Sequence, residues 1–90
     1  MAKRVLVVDD DPVQRRILQE TIKRLGHAVV GAESGDKALA ALKADESGEI
    51  GLILLDLAMP GSDGMAVLAA MRSLPRKPRA IVLTANVTID

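Results

Sequence analysis

Short aliphatic runs alternate along this chain with longer segments whose apolar residues recur at helical spacing. Residues 4–8 and 50–55 are almost wholly aliphatic and lack the polar alternation of a half-exposed strand. Runs of this kind are typical of parallel strands that are buried on both faces. Residues 27–32 and 80–83 are two further short runs, so the pattern predicts four strands.

Three helices are predicted between these strands. The first begins at Pro12, with Asp11 as its N-cap, and ends at Gly26, a residue type that commonly stops a helix. The second is capped at residues 34–36 and is followed by a polar turn at residues 45–49, and the third spans residues 64–73. The apolar positions expected to face the sheet are Val13, Ile17, Leu18, Ile22 and Leu25 in the first helix, Ala38, Leu39, Ala41 and Leu42 in the second, and Met65, Val67, Leu68 and Met71 in the third.

Strands that alternate with helices predict an α/β fold with a parallel sheet and right-handed crossovers. The element order is β-α-β-α-β-α-β. Ninety residues make one small domain, and 49% hydrophobic residues are enough for a packed core rather than a disordered chain. In open sheets of this kind, functional groups gather at the carboxyl ends of the strands.

Composition excludes several classes of function. The chain has no Cys, which excludes disulfides and thiolate metal sites, and its twelve acidic residues balance its twelve basic ones. It also lacks aromatic residues, so nothing offers a stacking platform for single-stranded nucleic acid. No apolar stretch is long enough to span a membrane, and the N-terminus leads directly into a strand without room for a signal peptide. We therefore expect a cytoplasmic domain that binds neither membrane nor nucleic acid directly.

Acidic residues stand at the ends of two of the predicted strands. Asp9 and Asp10 follow the first strand, Asp56 follows the third, and Thr84 follows the fourth. Each carboxylate in such a group raises the pKa of its neighbours unless a cation lies between them. Mg²⁺ prefers oxygen ligands, and a carboxylate beside it can attack a phosphoryl group in line. The pattern therefore suggests a magnesium-assisted site with Asp56 as an acidic nucleophile.

A structural explanation competes with this one. A single Asp after a strand is usually a cap or a turn residue, and we expect Asp11 to be only that. Four polar residues that converge at one edge of a sheet are much harder to explain as four separate caps.

The residues that carry this chemistry stand in motifs that are together highly specific. They are the segments 7–12 (VVDDDP), 54–64 (LLDLAMPGSDG) and 81–85 (IVLTA). With these motifs the whole chain resembles a receiver domain of two-component response regulators. The resemblance implies a flavodoxin-like, doubly wound parallel sheet, here with strand order 2-1-3-4.

The resemblance also implies a role for each residue. Asp56 would accept a phosphoryl group from a histidine of a partner sensor kinase, or from a histidine phosphotransfer protein. Asp10 would bind Mg²⁺ directly, Asp9 largely through water, and the backbone carbonyl of Ala58 would be a further ligand. Thr84 would be the switch hydroxyl that moves toward the phosphoryl group. The domain would not be an enzyme, but would assist its own phosphorylation and dephosphorylation and so switch an output domain or partner.

The match is incomplete at the C-terminal end. The fifth strand and last two helices of the family are absent, together with a phosphate-binding lysine and a switch aromatic residue. Lys77 with Pro78 lies before the fourth strand and is not a substitute for that lysine. We therefore expect residues 1–90 to be a truncated receiver domain, or a chain that pairs or swaps with a second copy through the exposed edge of the fourth strand.

Further expectations concern the surface. The first helix is where the kinase docks in the family, which makes Val13, Gln14, Ile17 and Leu18 candidate contacts, although Ile17 and one neighbour are expected to face the sheet. His27, the one histidine, is interpreted as a surface turn residue. We interpret the basic group as a solvated connector; its members are Arg72, Arg76, Lys77 and Arg79. We interpret the methionines as packing residues; they are Met59, Met65 and Met71.

Two alternative functions remain open. The segment 9–13 also fits the nucleophile motif of haloacid-dehalogenase-type phosphatases, in which Asp9 would be the nucleophile and Asp11 the acid/base. The other alternative is a receiver-like interaction module that is never phosphorylated. Substitution of Asp56 by Asn separates the first alternative from the receiver, because it leaves the phosphatase nucleophile intact.

Overall fold

The computed structural model describes residues 4–45, 48–56, 63–73 and 78–83. Side chains are described for these residues except 63–65 and 80–83. The elements are β1 (Arg4–Val8), α1 (Pro12–Arg24), β2 (Ala28–Ala32), α2 (Gly35–Ala44), β3 (Ile50–Asp56), α3 (Asp63–Met71) and β4 (Arg79–Leu83).

The four strands form one parallel sheet in the order β2-β1-β3-β4, as predicted. At the carboxyl end of β1, Val8 is paired with Ala32 of β2 and with Leu55 of β3. The next rung of the same register brings Asp9 beside Asp56. The sheet therefore places the two acidic segments side by side, although they are far apart in the sequence.

Element boundaries differ from the prediction by one or two residues at several ends. β2 begins at Ala28 rather than at His27, which is an exposed residue before the strand, as expected for a surface turn. β3 continues through Asp56, and α3 runs from Asp63 to Met71. Because Asp56 belongs to β3, its backbone position is fixed by pairing with Leu83 of β4.

The core lies on both faces of the sheet. On one face, β1 and β3 contribute Leu6, Val8, Ile53 and Leu55, which pack against α2 and α3. On the other face, Val5 and Val7 of β1 pack against α1. Burial on both faces of the sheet explains why the central residues of β1 and β3 are all apolar. The predicted inward residues of α2 (Ala38, Leu39, Ala41 and Leu42), and those of α3 with described side chains (Val67, Leu68 and Met71), are buried or partly buried.

The predicted apolar stripe of α1 is wrong in part. Ile22 is buried and Leu18 packs against the sheet, but Val13, Ile17 and Leu25 are 66%, 59% and 70% exposed. A helix turns 100° per residue, so Val13 and Ile17 lie nearly opposite Leu18 and Ile22. Leu25 lies past the last helical residue, at the C-cap.

Gln19 occupies part of the inward face of α1. Its side chain lies over Gly31 of β2, where an added Cβ would come within 2.7 Å of the amide oxygen. Gln19 was not among the residues predicted to face the sheet, and its close approach to β2 is possible because Gly31 has no side chain. Gly31→Ala would require the Gln19 side chain to move.

Side-chain caps set the ends of the first two helices. Asp11 accepts hydrogen bonds from the backbone of Val13 and Gln14, and Ser34 accepts one from Lys37. Gly26 has a φ of 94°, a left-handed conformation that favours glycine after a helix end. These three predicted signals are confirmed.

Asp45 fixes the start of β3, a role that the sequence did not reveal. Its two carboxylate oxygens accept hydrogen bonds from the backbone of Glu49 and Ile50, each at 2.9 Å. The Asp45 side chain thereby connects the end of α2 to the start of β3. Since β3 carries Asp56 at its other end, this contact helps to set the position of the site.

We expect Asp45→Ala to lower the free energy of unfolding by about 1–2 kcal/mol, because two backbone donors lose their acceptor. Asp45→Asn, which keeps one acceptor oxygen, should lose about half as much. Glu20→Ala is the matched control. Glu20 is exposed, and its Oε2 forms a weak surface ion pair with Lys23 Nζ at 3.9 Å, so its loss should change the stability little. Urea unfolding followed by far-UV circular dichroism measures all three, and equal losses for Asp45→Ala and Glu20→Ala would contradict this role.

Candidate functional site

Three carboxylates meet at the carboxyl edge of the sheet. Asp9 and Asp10 directly follow β1, and Asp56 is the last residue of β3. One oxygen of each lies within 4.8 Å of the others. Asp9 and Asp56 are 1% and 8% exposed, whereas Asp10 is exposed to solvent. The structure thus brings together the three acids that the sequence singled out.

Asp9 is held by two hydrogen bonds, but one of its carboxylate oxygens has no partner among the described residues. Its backbone N–H donates to Ala32 of β2, and its Oδ1 accepts the N–H of Asp11 at 3.0 Å. Its Oδ2 is buried and has no hydrogen-bond partner among the described residues. Burial raises the pKa of Asp9, and the charges of Asp56, Asp10 and Asp11 raise it further, against the lowering effect of the bond from Asp11.

The donor set suits a hard divalent cation. All three side chains offer carboxylate oxygens, which are the ligands that Mg²⁺ prefers, and the solvent-facing side at Asp10 leaves room for the waters that this ion retains. A buried carboxylate oxygen without a partner is costly, and a cation beside it would remove that cost. Asp9, Asp10 and Asp56 therefore fit a magnesium ion.

Asp11 does not belong to this cluster. Its Oδ1 accepts the N–H of Val13 at 3.0 Å and that of Gln14 at 3.4 Å, so its carboxylate is engaged at the start of α1. The prediction that Asp11 is only a cap is confirmed. The same contacts weigh against its use as an acid/base group.

Ala58 and Thr84 lie outside the described residues. The described part of the chain ends one residue before Thr84, where Leu83 of β4 pairs with Asp56. The strand that precedes Thr84 in the sequence is thus paired with the strand that carries Asp56. The roles of Ala58 and Thr84 stay predictions.

The structure reveals one further residue at the site, Arg15, which sequence reasoning missed. Its Nη1 donates to the backbone carbonyl oxygen of Asp9 at 2.7 Å. Arg15 is partly buried on α1, whereas the adjacent Arg16 is exposed. The sequence offered no signal for this contact, because the partner of Arg15 is a backbone carbonyl rather than a side chain.

The outer surface of α1, a helix that begins two residues after Asp10, is partly apolar. Val13, Gln14 and Ile17 are exposed on it, while Leu18 packs against the sheet. Of the four candidate docking residues, three are therefore accessible and Leu18 is largely not. Within the described residues, none of the helices is long and apolar enough to cross a membrane.

An open parallel sheet with an acidic cluster at its carboxyl edge defines a flavodoxin-like α/β domain. The chain matches the response regulator receiver domain over residues 5–90. It is 43% identical over 84 residues to the transcriptional regulatory protein ResD of Bacillus subtilis, which covers 92% of this chain and 33% of ResD. It is also 31% identical over 90 residues to sporulation initiation phosphotransferase F of the same species, across 100% of this chain and 70% of that protein. The chain belongs to the response regulator receiver domain family.

Solved structures agree with this assignment. Response regulator protein TrrA from Thermotoga maritima, in complex with Mg(2+)-BeF, matches with a TM-score of 0.79 and 38% identity over 92% of this chain and 70% of that one. TrrA in complex with the histidine kinase ThkA matches with a TM-score of 0.77 at the same 38% identity, over 96% and 72%. A receiver protein from Pseudomonas putida gives a TM-score of 0.85 at 30% identity, over 98% and 72%.

Proposed function

We propose that this domain is a signalling switch that accepts a phosphoryl group on Asp56 from a phosphohistidine of a sensor kinase, in a reaction that needs Mg²⁺. The observation that carries the proposal is the group of three carboxylates within 4.8 Å, one of which has a buried oxygen without a partner. Family membership and the Mg(2+)-BeF complex of TrrA support it.

Asp56 is the nucleophile of the proposed reaction. One of its carboxylate oxygens attacks phosphorus and forms an O–P bond, and the N–P bond of the phosphohistidine breaks. The electron pair of that bond stays on the imidazole nitrogen, which takes up a proton. Burial of Asp56 at the end of β3 restricts the approach of water and fixes the attacking oxygen in place.

Asp9 and Asp10 hold the cation in this proposal, together with Asp56. When bound, Mg²⁺ neutralises the charge on the transferring oxygens. By the family pattern, the backbone carbonyl of Ala58 is a further ligand and the Thr84 hydroxyl contacts the phosphoryl group once it is on Asp56. The same groups would assist dephosphorylation, so the domain would promote its own turnover without being an enzyme for another substrate.

A histidine kinase is the partner that we propose for this chain. The TrrA–ThkA complex supports this choice, and the exposed Val13 and Ile17 offer an apolar surface on α1, the helix that follows Asp9 and Asp10 in the chain. Kinases of this kind use ATP, so we place the reaction in the cytoplasm. The chain spans only about a third of the length of ResD. The proposal therefore concerns the switch itself and does not name the output that the switch controls.

The phosphatase alternative is disfavoured by the geometry. In that alternative Asp11 must exchange protons with a substrate, but its carboxylate caps α1 and lies outside the cluster. The interaction module without phosphorylation is the second candidate, and the experiment below separates it from the switch.

We expect the chain to gain one phosphoryl group when it is incubated with acetyl phosphate and Mg²⁺, and to gain none when a chelator replaces the metal. Intact-mass spectrometry measures both, and re-addition of Mg²⁺ to the chelated sample controls for damage. Binding of Mg²⁺ without any gain in mass would favour the interaction module. A gain that is equal with and without the metal would contradict the magnesium requirement.

A further inference from the structure

The Arg15 side chain of α1 forms a hydrogen bond to the backbone just past the end of β1. The Arg15 guanidinium donates from Nη1 to the carbonyl oxygen of Asp9, at 2.7 Å. The paired ladder of β1 ends at Val8 on both sides. The N–H of Asp9 still bonds to Ala32, but Asp9 lies one residue past the last pair between β1 and β3. Arg15 supplies a hydrogen-bond donor to the carbonyl of Asp9 at this point.

That carbonyl belongs to the peptide that joins Asp9 to Asp10. Its orientation therefore fixes where the Cα atom of Asp10 lies, and with it the direction from which the exposed Asp10 carboxylate enters the site. A charge-assisted hydrogen bond to a partly buried carbonyl restrains this peptide more strongly than a neutral one would. The bond therefore acts on the two ligand residues through their backbone.

We propose that Arg15 is a positioning residue, which holds the Asp9–Asp10 peptide so that both carboxylates can bind one Mg²⁺ ion. This inference rests on the proposed function and adds a residue that acts through the backbone of the metal ligands. Groups that orient metal ligands in this way commonly change metal affinity by about 10–100-fold when they are removed.

The charge of Arg15 makes the proposal sharply testable. A positive charge near the site opposes cation binding, so loss of the Arg15 charge, taken by itself, would strengthen the binding of Mg²⁺. Loss of the hydrogen bond that positions the ligands would weaken the binding of Mg²⁺. The two effects have opposite signs, and the positioning role requires the weakening to prevail.

The surroundings of Arg15 indicate that its charge has a second neighbour. Glu33 follows β2 and forms an ion pair with Lys37 of α2. The hydrogen bond from Lys37 and its charge lower the pKa of Glu33, and the charge of Arg15 lowers it further. The negative charge of Glu33 thus acts on Arg15 in turn, which offsets part of the repulsion between Arg15 and a cation.

The test compares Arg15→Ala, Arg15→Lys and the matched control Arg16→Ala in the full chain. Arg16 is adjacent on α1, carries the same charge and is exposed, so its removal changes the net charge equally. Isothermal titration with MgCl₂ and with CaCl₂ gives the affinities, and far-UV circular dichroism confirms that each variant is folded. Phosphorylation by acetyl phosphate is measured in the same samples.

We expect Arg15→Ala to weaken Mg²⁺ binding about tenfold or more, with Arg15→Lys between it and the wild type and Arg16→Ala within about twofold. Binding of Ca²⁺ should weaken less, because Ca²⁺ tolerates irregular ligand geometry and Mg²⁺ does not. A merely destabilising substitution would not change this ratio. If Arg15→Ala does not fold, the ratio in Arg15→Lys decides.

Two results would overturn the inference. One is tighter Mg²⁺ binding in Arg15→Ala, which would assign the residue a purely electrostatic role. The other is an equal effect of Arg15→Ala and Arg16→Ala on both ions. Failure of the proposed function is a different result, because then the wild type itself would bind no Mg²⁺ or gain no phosphoryl group.

Discussion

Asp56→Asn is expected to abolish phosphorylation, so that intact mass after treatment with acetyl phosphate and Mg²⁺ shows no added phosphoryl group. The side-chain amide that replaces the carboxylate is a far weaker nucleophile, and it also removes one anionic ligand from the metal. Asp56 is buried at the end of β3, so the isosteric amide should leave the strand and its pairing with β4 in place. The loss should therefore be complete while the fold is retained.

Asp36→Asn is the matched control for this variant. Asp36 is an exposed acid in the first turn of α2, and its substitution removes the same charge outside the cluster. It should be phosphorylated as fully as the wild type. Phosphorylation of Asp56→Asn at the wild-type level would instead point to a different nucleophile, such as Asp9 in the phosphatase alternative. Far-UV circular dichroism suits the folding check, because the chain has no aromatic residue for near-UV signals.

Asp9→Asn is expected to stabilise the metal-free protein and to remove most of the stabilisation that Mg²⁺ gives. The variant keeps an oxygen that can accept the N–H of Asp11, while an amide group replaces the buried Oδ2 that has no partner. Loss of a buried charge and of repulsion among the acids should raise the free energy of unfolding by about 1–3 kcal/mol in a chelator. Loss of an anionic ligand should weaken the metal response.

The pH dependence of this difference follows from the raised pKa of Asp9. A carboxyl whose pKa is higher in the folded state than in the unfolded state binds protons preferentially when folded. Its destabilising effect is therefore full above the raised pKa and fades as the pH falls toward the ordinary value of 3.8. Since Asn does not titrate, the stability gain of Asp9→Asn in a chelator should be larger at neutral pH than at pH values near that ordinary value.

Urea unfolding in a chelator at several pH values, repeated with saturating Mg²⁺, measures these effects. Asp36→Asn again serves as the control for the loss of one negative charge. A gain for Asp9→Asn that does not change with pH, or that equals the gain for Asp36→Asn, would contradict this account. So would an undiminished stabilisation of the variant by Mg²⁺.

The fold was predictable because its strongest signals are local. The unbroken aliphatic runs of β1 and β3 leave no face for solvent, and that alone predicts a sheet covered on both sides. The caps at Asp11 and Ser34 and the stop at Gly26 are short-range preferences that the tertiary structure has no reason to override. The strand order came from the resemblance to receivers, and the structure confirms it.

The acidic cluster was predictable for a topological reason. Parallel strands end at the same edge, so acids that follow two neighbouring strands must meet there. The orientation of α1 was not predictable in the same way. Val13 and Ile17 fit a broad apolar stripe, but only the packed helix shows that Leu18 and Ile22 face the sheet and that Gln19 covers Gly31.

Arg15 and Asp45 were missed because both act on backbone groups. Arg15 bonds to a carbonyl oxygen, and Asp45 accepts two backbone N–H groups. No pattern of side-chain types marks which peptide groups lack a partner in the folded sheet. Such roles are visible only when the paths of the strands and turns are known.

The central place of β1 in the sheet has a consequence for how the sheet opens. β1 is paired with β2 on one side and with β3 on the other. Separation of β3 from β1 would expose Asp9 to water on that side and remove Asp56 from beside it. A cation that binds at this edge should therefore oppose the separation and slow the opening of the sheet.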